Sequence, residues 1–433
     1  MKSIVAIVGR PNVGKSSLFN RIVGWRKAIV NDAPGVTRDR HYSVADWCGR
    51  EFIVVDTGGI DFAPEIDLES KVTKQSLEAI SEADIVLCVF DGQVEPTSHD
   101  IELTRKLNKI GKPVIYAINK IDEAVHEGRK DCYYELGMDD FVMCSSEHGR
   151  NFDELLDKII GYLPDEKEEN KNKEALYVTV VGRPNVGKST LINRLAGNER
   201  VIAHEMPGTT RDSIDVDIEF EGAHYVFVDT AGIRKSFKVH ERVEKISAMK
   251  ALRTVDRSEI ICFLIDATDK ITHQDLNLIS FIHSEGKGIT IFVNKWDLID
   301  SSWDEFEQDI KDRLGELSYL TILPISAKTG YNCLKIFSWI QNINNNLNSK
   351  ITTSKLNKIV QDALMGHHLP VCKGRQINIY YCTQIGTRPP TFALFANYPA
   401  DIPEAYRRYL KNKLAEKGEI HGVPIKLVFR KKK

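Results

Sequence analysis

The peptide Gly-Arg-Pro-Asn-Val-Gly-Lys-Ser occurs twice in the chain, once in each half. Each copy follows an apolar run and precedes a helix-like pattern, which is the context in which G-x-x-x-x-G-K-[ST] binds phosphate. The glycines let backbone N–H groups point at an anion, and the following helix adds its N-terminal dipole. The lysine should reach the β- and γ-phosphates, and the serine should ligate Mg²⁺. The predicted phosphate-binding residues are Gly9, Arg10, Pro11, Asn12, Val13, Gly14, Lys15 and Ser16, with Gly182, Arg183, Pro184, Asn185, Val186, Gly187, Lys188 and Ser189.

A second pair of segments supplies a carboxylate at a suitable distance after each loop. These segments are Asp56-Thr57-Gly58-Gly59 and Asp229-Thr230-Ala231-Gly232, and both follow apolar runs. In the pattern D-x-x-G the carboxylate lies near Mg²⁺, and the last glycine N–H can meet a γ-phosphate. Asp followed by Gly is also ordinary turn chemistry, so the pattern is informative only because it follows a phosphate loop.

A third pair of segments, Asn119-Lys120-Ile121-Asp122 and Asn294-Lys295-Trp296-Asp297, has the chemistry to select a base. The aspartate can accept hydrogen bonds from guanine N1–H and the 2-amino group. Adenine cannot supply both, and an unpaired buried carboxylate is costly. The lysine stem can lie along the base, and the asparagine can brace the loop. Ser145 and Ser326 follow the next strands, where backbone N–H groups could meet guanine O6, so we expect GTP and GDP as ligands rather than ATP.

These segments need strands that end beside one another. Apolar strands alternate with amphipathic stretches in both halves, which favours an α/β fold with mostly parallel sheets and helices on both faces. The predicted strands of the first half are 4–8, 52–55, 85–90, 114–118 and 141–144. Those of the second half are 177–181, 226–228, 260–265, 289–293 and 321–324.

The chain is an internal duplication followed by a smaller region. A shift of 173 residues lays Lys15 on Lys188 and Asp56 on Asp229. The predicted domains are 1–163 and 175–346, joined by a charged linker at 164–174, and a small α+β domain at 347–433. In the last domain we predict helices at 353–365 and 404–417 and strands at 377–382, 392–396 and 425–429, with a basic tail at 430–433 that is unstructured on its own.

Composition favours a cytoplasmic globular protein that binds a polyanion. Residues 350–433 carry 16 Lys and Arg against 5 Asp and Glu, so this region has a net charge of +11 and the first 349 residues have −13. No apolar run approaches the ~20 residues that a bilayer requires. A strand begins at the N-terminus, so we expect no signal peptide. The 8 cysteines are scattered without a C-x-x-C pair, and we expect reduced thiols.

The paired GRPNVGKS, DT[GA]G and NKxD segments and the basic C-terminal region resemble the Der (EngA) family of tandem, double-Era-like GTPases over essentially the whole chain. The resemblance implies two P-loop (Ras-like) GTPase domains followed by a KH-like domain. It also implies a first switch in which Thr37 and Thr210 close over Mg²⁺ and the γ-phosphate. The predicted catalytic residues are Lys15, Thr37, Gly59, Lys188, Thr210 and Gly232, and the predicted Mg²⁺ ligands are Ser16, Thr37, Asp56, Ser189, Thr210 and Asp229.

The residue after each D-x-x-G segment raises a question about catalysis. Ile60 and Ile233 stand where many GTPases have a Gln that orients water, and an isoleucine cannot polarise water. An amide oxygen at Asn12 or Asn185 can help to hold a monovalent cation against the phosphates, and the resemblance implies K⁺ in that role. The alternative is that each asparagine only shapes its loop.

The resemblance implies a GTP-hydrolysing ribosome assembly factor that acts on the large (50S) subunit and its rRNA through nucleotide-dependent rearrangement of its domains. We expect a monomer that does not bind membranes. An alternative is a nucleotide-gated RNA-binding scaffold in which hydrolysis is incidental. A membrane-associated signalling GTPase is disfavoured, because the sequence has no lipidation motif or long cationic amphipathic helix. Residues 350–433 contain no G-x-x-G loop, so RNA binding in the usual KH manner is in doubt.

Overall fold

The structure is a computed structural model of the chain. It describes residues 1–29, 42–57, 80–122, 130–134, 136–138, 140–164, 175–198, 201–207, 214–229, 248–269, 271–369 and 376–431. The chain divides into two compact units. The first consists of Met1–Glu169 with Ser247–Arg253, and the second of Asn170–Ile246 with Thr254–Lys433.

The first unit contains a six-stranded sheet in the order β2-β3-β1-β4-β5-β6. The pairing of β2 with β3 is antiparallel, and the other four pairings are parallel. The strands are β1 (Ser3–Val8), β2 (Tyr42–Trp47), β3 (Arg50–Asp56), β4 (Ile85–Asp91), β5 (Val114–Asn119) and β6 (Phe141–Met143). The helices are α1 (Lys15–Ile29), α2 (Ser98–Leu107), α3 (Lys130–Tyr134) and α4 (Phe152–Tyr162).

Helices cover both faces of this sheet, which explains its continuous apolar strands. Alternate residues of β4 enter two separate cores. Ile85 and Leu87 pack in a cluster with residues of α1 and α4, whereas Val86 and Cys88 pack in a cluster with residues of α2 and α3. The middle residues of these strands are therefore buried on both faces, and the polar strand ends remain available for chemistry.

The second unit contains a seven-stranded sheet in the order β13-β12-β11-β7-β10-β9-β8. The strands are β7 (Ala175–Val181), β8 (Ile202–Pro207), β9 (Ile214–Phe220), β10 (Ala223–Phe227), β11 (Ile260–Asp266), β12 (Gly288–Asn294) and β13 (Thr321–Pro324). The helices are α5 (Lys188–Ala196), α6 (Ala248–Arg257), α7 (His273–Ser284), α8 (Trp303–Leu314) and α9 (Lys335–Leu347), with 3-10 turns at Trp296–Leu298 and Gly315–Leu317. Only the last four residues of α6 belong to the second unit, because the division of the chain places Ser247–Arg253 in the first. The pairings of β8 with β9 and of β9 with β10 are antiparallel, and the other four are parallel.

The C-terminal region of the second unit is a small α+β fold. A three-stranded sheet in the order β14-β15-β16 packs with two helices. Its elements are α10 (Thr353–Gly366), β14 (Ile379–Gly386), β15 (Thr391–Ala396), a 3-10 turn at Pro399–Asp401, α11 (Glu404–Gly418) and β16 (Lys426–Lys431). The apolar core of this fold is continuous with the core around α9, because Ile343 and Leu347 belong to the same cluster as Leu356 and Phe392.

The predicted fold class is confirmed: two mostly parallel sheets with helices precede a small α+β region. The strands β2, β8 and β9 were not predicted; they lie at the antiparallel side of each sheet. The prediction of an unstructured tail was wrong for Arg430 and Lys431, which pair with Phe395 and Ala396 in β15. Of the predicted linker, residues 165–174 lie outside the described residues.

The described part of the chain contains no helix that is long and apolar enough to cross a membrane. It also contains no cluster of three or more His, Cys, Asp or Glu residues that could hold a metal ion by themselves. The seven cysteines within the described ranges are free thiols.

Candidate functional site

The phosphate loop of each unit connects a central strand to a helix, β1 to α1 and β7 to α5. Gly14 and Gly187 require the glycine that the motif places there, because φ is +93° and +98° and a Cβ atom would overlap the side-chain amide of Asn119 or Asn294. The helix starts at once, since the Leu18 N–H donates to the Gly14 carbonyl at 2.9 Å. The loop therefore ends in a helix N-terminus with donors available for an anion.

The loop lysines fold back over their own loops. Lys15 Nζ donates to the carbonyls of Gly9 at 2.9 Å and Arg10 at 2.8 Å. Lys188 Nζ donates to Gly182 at 3.1 Å and Arg183 at 2.6 Å. Burial lowers the pKa of Lys15, and nearby Asp56 opposes that shift. An ammonium group held inside the curl of the loop has the position and charge to bind phosphate oxygens.

Ser16 and Asp56 meet in the first unit. Ser16 Oγ donates to Asp56 Oδ2 at 2.6 Å, and Asp56 is only 2% exposed. Asp56 is the last residue of β3 and pairs with Ile7, and Thr57 continues the contact by donating its N–H to the Ile7 carbonyl at 3.3 Å. A hydroxyl and a carboxylate side by side are hard oxygen donors of the kind that Mg²⁺ prefers.

The corresponding aspartate of the second unit has a different environment. Strand β10 ends at Phe227, and Asp229 has a left-handed backbone with φ of +55°. Its N–H donates to Asp215 Oδ1 at 2.9 Å. Its carboxylate lies 3.5 Å from Thr254 Oγ1. The two D-x-x-G aspartates, predicted as equivalent, are thus held in different conformations.

A buried asparagine ties the phosphate loop of each unit to the loop predicted to contact the base. Asn119 Nδ2 donates to the Val13 carbonyl at 3.0 Å, and its Oδ1 accepts from Ser146 N–H at 2.9 Å. Asn294 repeats this with the Val186 carbonyl at 2.7 Å and the Ala327 N–H at 2.9 Å. Both asparagines end the strand next to an edge strand of the sheet and are at most 2% exposed.

The lysine after each asparagine is fixed by a carboxylate from the neighbouring strand. Lys120 Nζ lies 2.7 Å from Asp91 Oδ2, and Lys295 Nζ contacts Asp266 Oδ2. Burial alone would raise the pKa of Asp266, but hydrogen bonds from Lys295 and Thr268 outweigh it and lower that pKa. These acids end β4 and β11, and sequence reasoning missed them. Their presence at the same place in both copies of the repeat was the available signal.

The predicted base-binding acids also differ between units. Asp122 Oδ1 accepts from Ser145 Oγ at 2.7 Å, and Ser145 is fully buried. Asp297 is exposed. Both serines are fully buried and accept an N–H three residues on, Ser145 from His148 at 3.0 Å and Ser326 from Thr329 at 3.1 Å. Of the residues between, Ile121 is buried in the core. Trp296 stacks edge-on against Trp303 and Phe306, with ring centroids 5.0 Å and 5.2 Å away.

Two arginine pairs also shape the pockets: Arg21 and Arg194, which the sequence analysis did not single out, and Arg10 and Arg183 of the predicted phosphate loops. Arg21 on α1 donates to the Ser146 carbonyl, and Arg194 on α5 donates to the Ala327 carbonyl at 3.2 Å. Arg10 Nε lies 3.4 Å from the buried Asp100. Arg183 Nε lies 3.1 Å from Asp275, the corresponding residue of the second unit. Asp100 and Asp275 are also the capping-box acids of α2 and α7, so each arginine anchors its phosphate loop to a helix start.

The other predicted residues lie at the tips of the phosphate loops, in the core, or outside the described residues. Pro11, Asn12, Pro184 and Asn185 are exposed at the loop tips, whereas the side chains of Val13 and Val186 are buried in the core. Asn12 and Asn185 have left-handed backbones with φ of 66° and 63°. The following predicted residues lie outside the described residues: Thr37, Gly58, Gly59, Ile60, Thr210, Thr230, Ala231, Gly232 and Ile233.

Comparison with known proteins agrees with this arrangement. A family model described as 50S ribosome-binding GTPase matches residues 4–120 and 177–295. A model described as the KH-domain-like C-terminal region of EngA bacterial GTPases matches residues 350–430. The chain is 42% identical over 435 residues to GTPase Der of Desulfitobacterium hafniense (strain DSM 10664 / DCB-2), which covers 100% of this chain and 98% of the relative. This chain belongs to the GTPase Der family.

A second Der relative, from Desulforamulus reducens, is 44% identical over 434 residues, covering 100% of this chain and 98% of the relative. Among solved structures, a variant of Aquifex aeolicus Era bound to GDP and AlF4⁻ is 22% identical, covers 60% of this chain and 93% of its own, and has a TM-score of 0.30. The G domain of T. maritima FeoB is 30% identical, covers 37% and 99%, and has a TM-score of 0.29. Scores this low add nothing to the fold.

Membership in the Der family confirms the predicted resemblance and, with it, the activity. The chain is an enzyme that binds guanine nucleotides and hydrolyses GTP to GDP and phosphate. It is a Der GTPase with two P-loop domains and a KH-like C-terminal region. The family model is described as ribosome-binding, so the partner to be considered is the ribosome.

Proposed function

We propose that this Der GTPase is a ribosome assembly factor that acts on the large (50S) subunit in the cytoplasm. In this proposal a monomer carries two GTPase domains, at 1–163 and 175–346, joined by the linker 164–174 and followed by the KH-like domain 347–433. The nucleotide state of the two pockets changes the packing of the domains and so controls association with rRNA. The description of the family model as ribosome-binding and the charge of +11 on residues 350–433 support the choice of partner.

The observation that carries the proposal is the buried asparagine bridge in each unit. Asn119 joins the Val13 carbonyl to the Ser146 N–H, and Asn294 makes the equivalent join in the second unit. The loops that would contact the phosphates and the base of a nucleotide are therefore joined by one buried side chain. We call these two loops and the asparagine that joins them the nucleotide frame. Such a frame can report the state of the phosphates to the rest of its domain, which is what a nucleotide switch requires.

Within each pocket we assign roles from this geometry. Lys15 and Lys188 bind the β- and γ-phosphates and stabilise charge that develops as water attacks the γ-phosphate in line. The Mg²⁺ ligands are Ser16, Asp56 and Thr37 in the first pocket and Ser189, Asp229 and Thr210 in the second. Mg²⁺ supplies a positive charge that neutralises the phosphate oxygens. Gly59 and Gly232 meet the γ-phosphate through their N–H groups.

Base selection falls to the acids that follow the bridge. Asp122 and Asp297 accept the N1–H and 2-amino protons of guanine, and Lys120 and Lys295 lie along the base. The Asp91 carboxylate 2.7 Å from Lys120 Nζ supports this role, because it fixes the lysine stem beside the strand end. Ser145 and Ser326 lie in the loops whose N–H groups would contact guanine O6.

Because Ile60 and Ile233 cannot orient water, we assign a catalytic role to K⁺, whose positive charge would stabilise the phosphates. Asn12 and Asn185 lie exposed at the loop tips in the same left-handed conformation, so their amide oxygens are free to face solvent ions near the phosphates. The experiment compares GTP turnover in K⁺ and Na⁺ for the native chain and for Asn12→Ala and Asn185→Ala. Equal turnover in both salts, unaffected by the substitutions, would remove K⁺ from the mechanism.

The ribosomal role is tested by co-sedimentation with purified ribosomal subunits in GTP, GDP and a non-hydrolysable GTP analogue. We expect binding to the large subunit that depends on the nucleotide. Asp122→Asn and Asp297→Asn, which remove guanine selection one pocket at a time, should each alter that dependence. Binding that ignores the nucleotide would contradict the switch while leaving the hydrolase intact. Substituting Asp56 and Asp229 and measuring turnover beside ribosome binding separates the switch from a gated RNA scaffold, for which loss of turnover would leave ribosome binding unchanged.

A further inference from the structure

The second pocket contains a buried ion pair between two residues whose counterparts in the first unit are a tyrosine and a glutamate. Asp215 on β9 and Arg257 at the end of α6 are 6% and 7% exposed, and Arg257 Nη2 lies 2.8 Å from Asp215 Oδ2. The other carboxylate oxygen of Asp215 accepts the N–H of Asp229 at 2.9 Å. The pair therefore acts directly on the D-x-x-G aspartate.

The pairing of strands shows what occupies these positions in the first unit. Ser43 on β2 pairs with Val54 on β3, and Val54 pairs with Val5 on β1. In the second unit Val216 on β9 is connected to Val178 on β7 through the equivalent two pairings, so Ser43 and Val216 occupy equivalent positions. The residue before Ser43 is Tyr42, so a tyrosine occupies the place of Asp215. Ile85 pairs with Val5, and Ile260 pairs with Val178, so these two isoleucines are also equivalent. Arg257 lies three residues before Ile260, and the residue three before Ile85 is Glu82.

The backbone differs at the same point. Asp56 continues β3 in register with Ile7 on β1, and its carboxylate accepts the hydroxyl of Ser16 at 2.6 Å. Asp229 lies two residues beyond the end of β10, in a left-handed conformation. A residue other than glycine rarely adopts that conformation, which costs ~1 kcal/mol or more unless neighbouring groups compensate. The hydrogen bond to Asp215 provides such compensation.

We propose that Asp215 and Arg257 are positioning residues of the second nucleotide site, which hold Asp229 out of the strand conformation that Asp56 adopts. Arg257 fixes the buried Asp215 carboxylate through the 2.8 Å contact, because a buried carboxylate without its partner is strongly unfavourable. The other oxygen of Asp215 accepts the Asp229 N–H. For Asp229 to align with Ser189 as Asp56 aligns with Ser16, this hydrogen bond must break, so the second site binds Mg²⁺ against an opposing interaction that the first site lacks.

The test rests on the proposed role of Asp229 as a Mg²⁺ ligand, and it uses the full chain carrying Asp122→Asn, so that a guanine nucleotide reports the second pocket. The main variant is Asp215→Leu/Arg257→Leu, which removes both charges and leaves no buried ion unpaired. Asp215→Asn, which keeps an acceptor at the same place but leaves Arg257 without its counter-charge, is the second variant. Glu219→Gln, on the same strand and face, is the matched control.

Calorimetry with a non-hydrolysable GTP analogue at a series of Mg²⁺ concentrations provides the readout, and urea unfolding checks that each variant is folded. We expect the Mg²⁺ concentration at half-maximal effect to fall about fivefold in the double variant, as the loss of one competing hydrogen bond of ordinary strength would give. Asp215→Asn should give a smaller shift in the same direction, and Glu219→Gln none. Nucleotide affinity without Mg²⁺ should stay unchanged.

Two outcomes would overturn the inference. One is an unchanged Mg²⁺ midpoint in both folded variants. The other is equal weakening of nucleotide binding at every Mg²⁺ concentration, which is the effect of a purely structural pair. Asp229→Ala in the same background separates this failure from failure of the proposed function. If Asp229→Ala leaves the Mg²⁺ dependence of nucleotide binding intact, Asp229 is not a ligand. If Asp229→Ala abolishes that dependence but the Asp215 and Arg257 variants do not change it, only the positioning role is refuted.

Discussion

The two GTPase domains contain the same motif peptides, but the residues that contact the motif aspartates differ between them. In the first, Asp56 sits in its strand and Asp122 is hydrogen-bonded by Ser145. In the second, Asp229 is held by Asp215 and Asp297 is exposed. The motifs specify which nucleotide can bind, whereas the residues that pack around the motifs decide how the carboxylates are held beforehand. Identical octapeptides are therefore compatible with two pockets that respond differently to Mg²⁺ and nucleotide.

The second domain also shares a core with the KH-like region. The Ile289 N–H in β12 donates to the Gly422 carbonyl at 3.0 Å, and Arg388 lies 2.9 Å from Glu259. Strand β12 ends at Asn294, the bridging asparagine of the second pocket. One strand thus contacts the KH-like region near its start and the nucleotide frame at its end, so the base end of that pocket is directly connected to the C-terminal fold.

The largest effects should come from removing the loop lysines. Lys15→Ala and Lys188→Ala each delete the ammonium group predicted to stabilise the γ-phosphate, and we expect turnover at the affected pocket to fall by at least about 100-fold. Each pocket is measured alone, by pairing Lys15→Ala with Asp297→Asn and Lys188→Ala with Asp122→Asn. A similar loss in both pockets would mean that their chemistry is equal despite their different supports.

Lys109→Ala, which changes an exposed lysine after α2, is the control for these variants and should leave turnover unchanged. If Lys15→Ala retained most of the turnover of its pocket, the lysine would only support the loop carbonyls of Gly9 and Arg10. The assignment of Lys15 as a catalytic residue would then be wrong.

Next in size is the loss of the asparagine bridge. Asn119→Ala leaves the Val13 carbonyl and the Ser146 N–H buried without their partner, and such losses cost about 1–3 kcal/mol for each group. We expect the free energy of unfolding of the first unit to fall by ~2–6 kcal/mol and nucleotide affinity to fall with it. Asn294→Ala should do the same in the second unit. Urea unfolding, monitored with and without GDP, measures both effects.

Asn20→Ala changes an exposed asparagine on α1 and should alter stability by less than about 0.5 kcal/mol. If either bridge variant were as stable as this control, the bridge would not be a frame for the nucleotide. A loss in one unit only would show that the two frames are not equivalent.

The residues that sequence could and could not predict follow a physical rule. Gly14, Lys15, Ser16 and Asn119 were predictable, because local backbone conformation and the chemistry of a phosphate or a base dictate them. Asp91, Arg21 and Asp215 act through partners far away in the chain, so only the packed sheet reveals them. The missed strand β9 (Ile214–Phe220) does alternate apolar and acidic residues, and its pattern of period two was the available signal.

A smaller effect should follow from disturbing the shared core of the second domain and the KH-like region. Gly288 opens β12, and a Cβ atom there would overlap the Ile343 side chain on α9. Gly288→Ala should therefore lower the free energy of unfolding of the second unit by ~1–3 kcal/mol, as overpacking usually does. The first unit should be unaffected. Thermal unfolding of the full chain measures the difference. The two units are distinguished by repeating the measurement in the Asp122→Asn and the Asp297→Asn background.

Gly24→Ala is the matched control, because a Cβ atom on this helical glycine would meet nothing within 4 Å. Alanine is the better helix former, so this variant should be neutral or stabilising by up to about 1 kcal/mol. A neutral Gly288→Ala would show that α9 can move away from β12. The C-terminal fold would then be less tightly connected to the pocket than its packing implies.

The smallest effect concerns acid stability of the second domain. The pKa of Asp266 is lowered from its ordinary value of 3.8, since the bonds from Lys295 and Thr268 outweigh burial. A carboxylate with a lowered folded-state pKa contributes stability that is fully present above its unfolded pKa and is lost as pH falls through the folded-state value. Lys295→Met removes one of the groups that lower this pKa, so the native chain should be more stable than the variant near neutral pH. The gap should close as the pH falls below about 4, where the carboxyl protonates in the unfolded chain. Urea midpoints between neutral and acid pH test this, and a gap of constant size would mean that Lys295 stabilises the domain by packing rather than by charge.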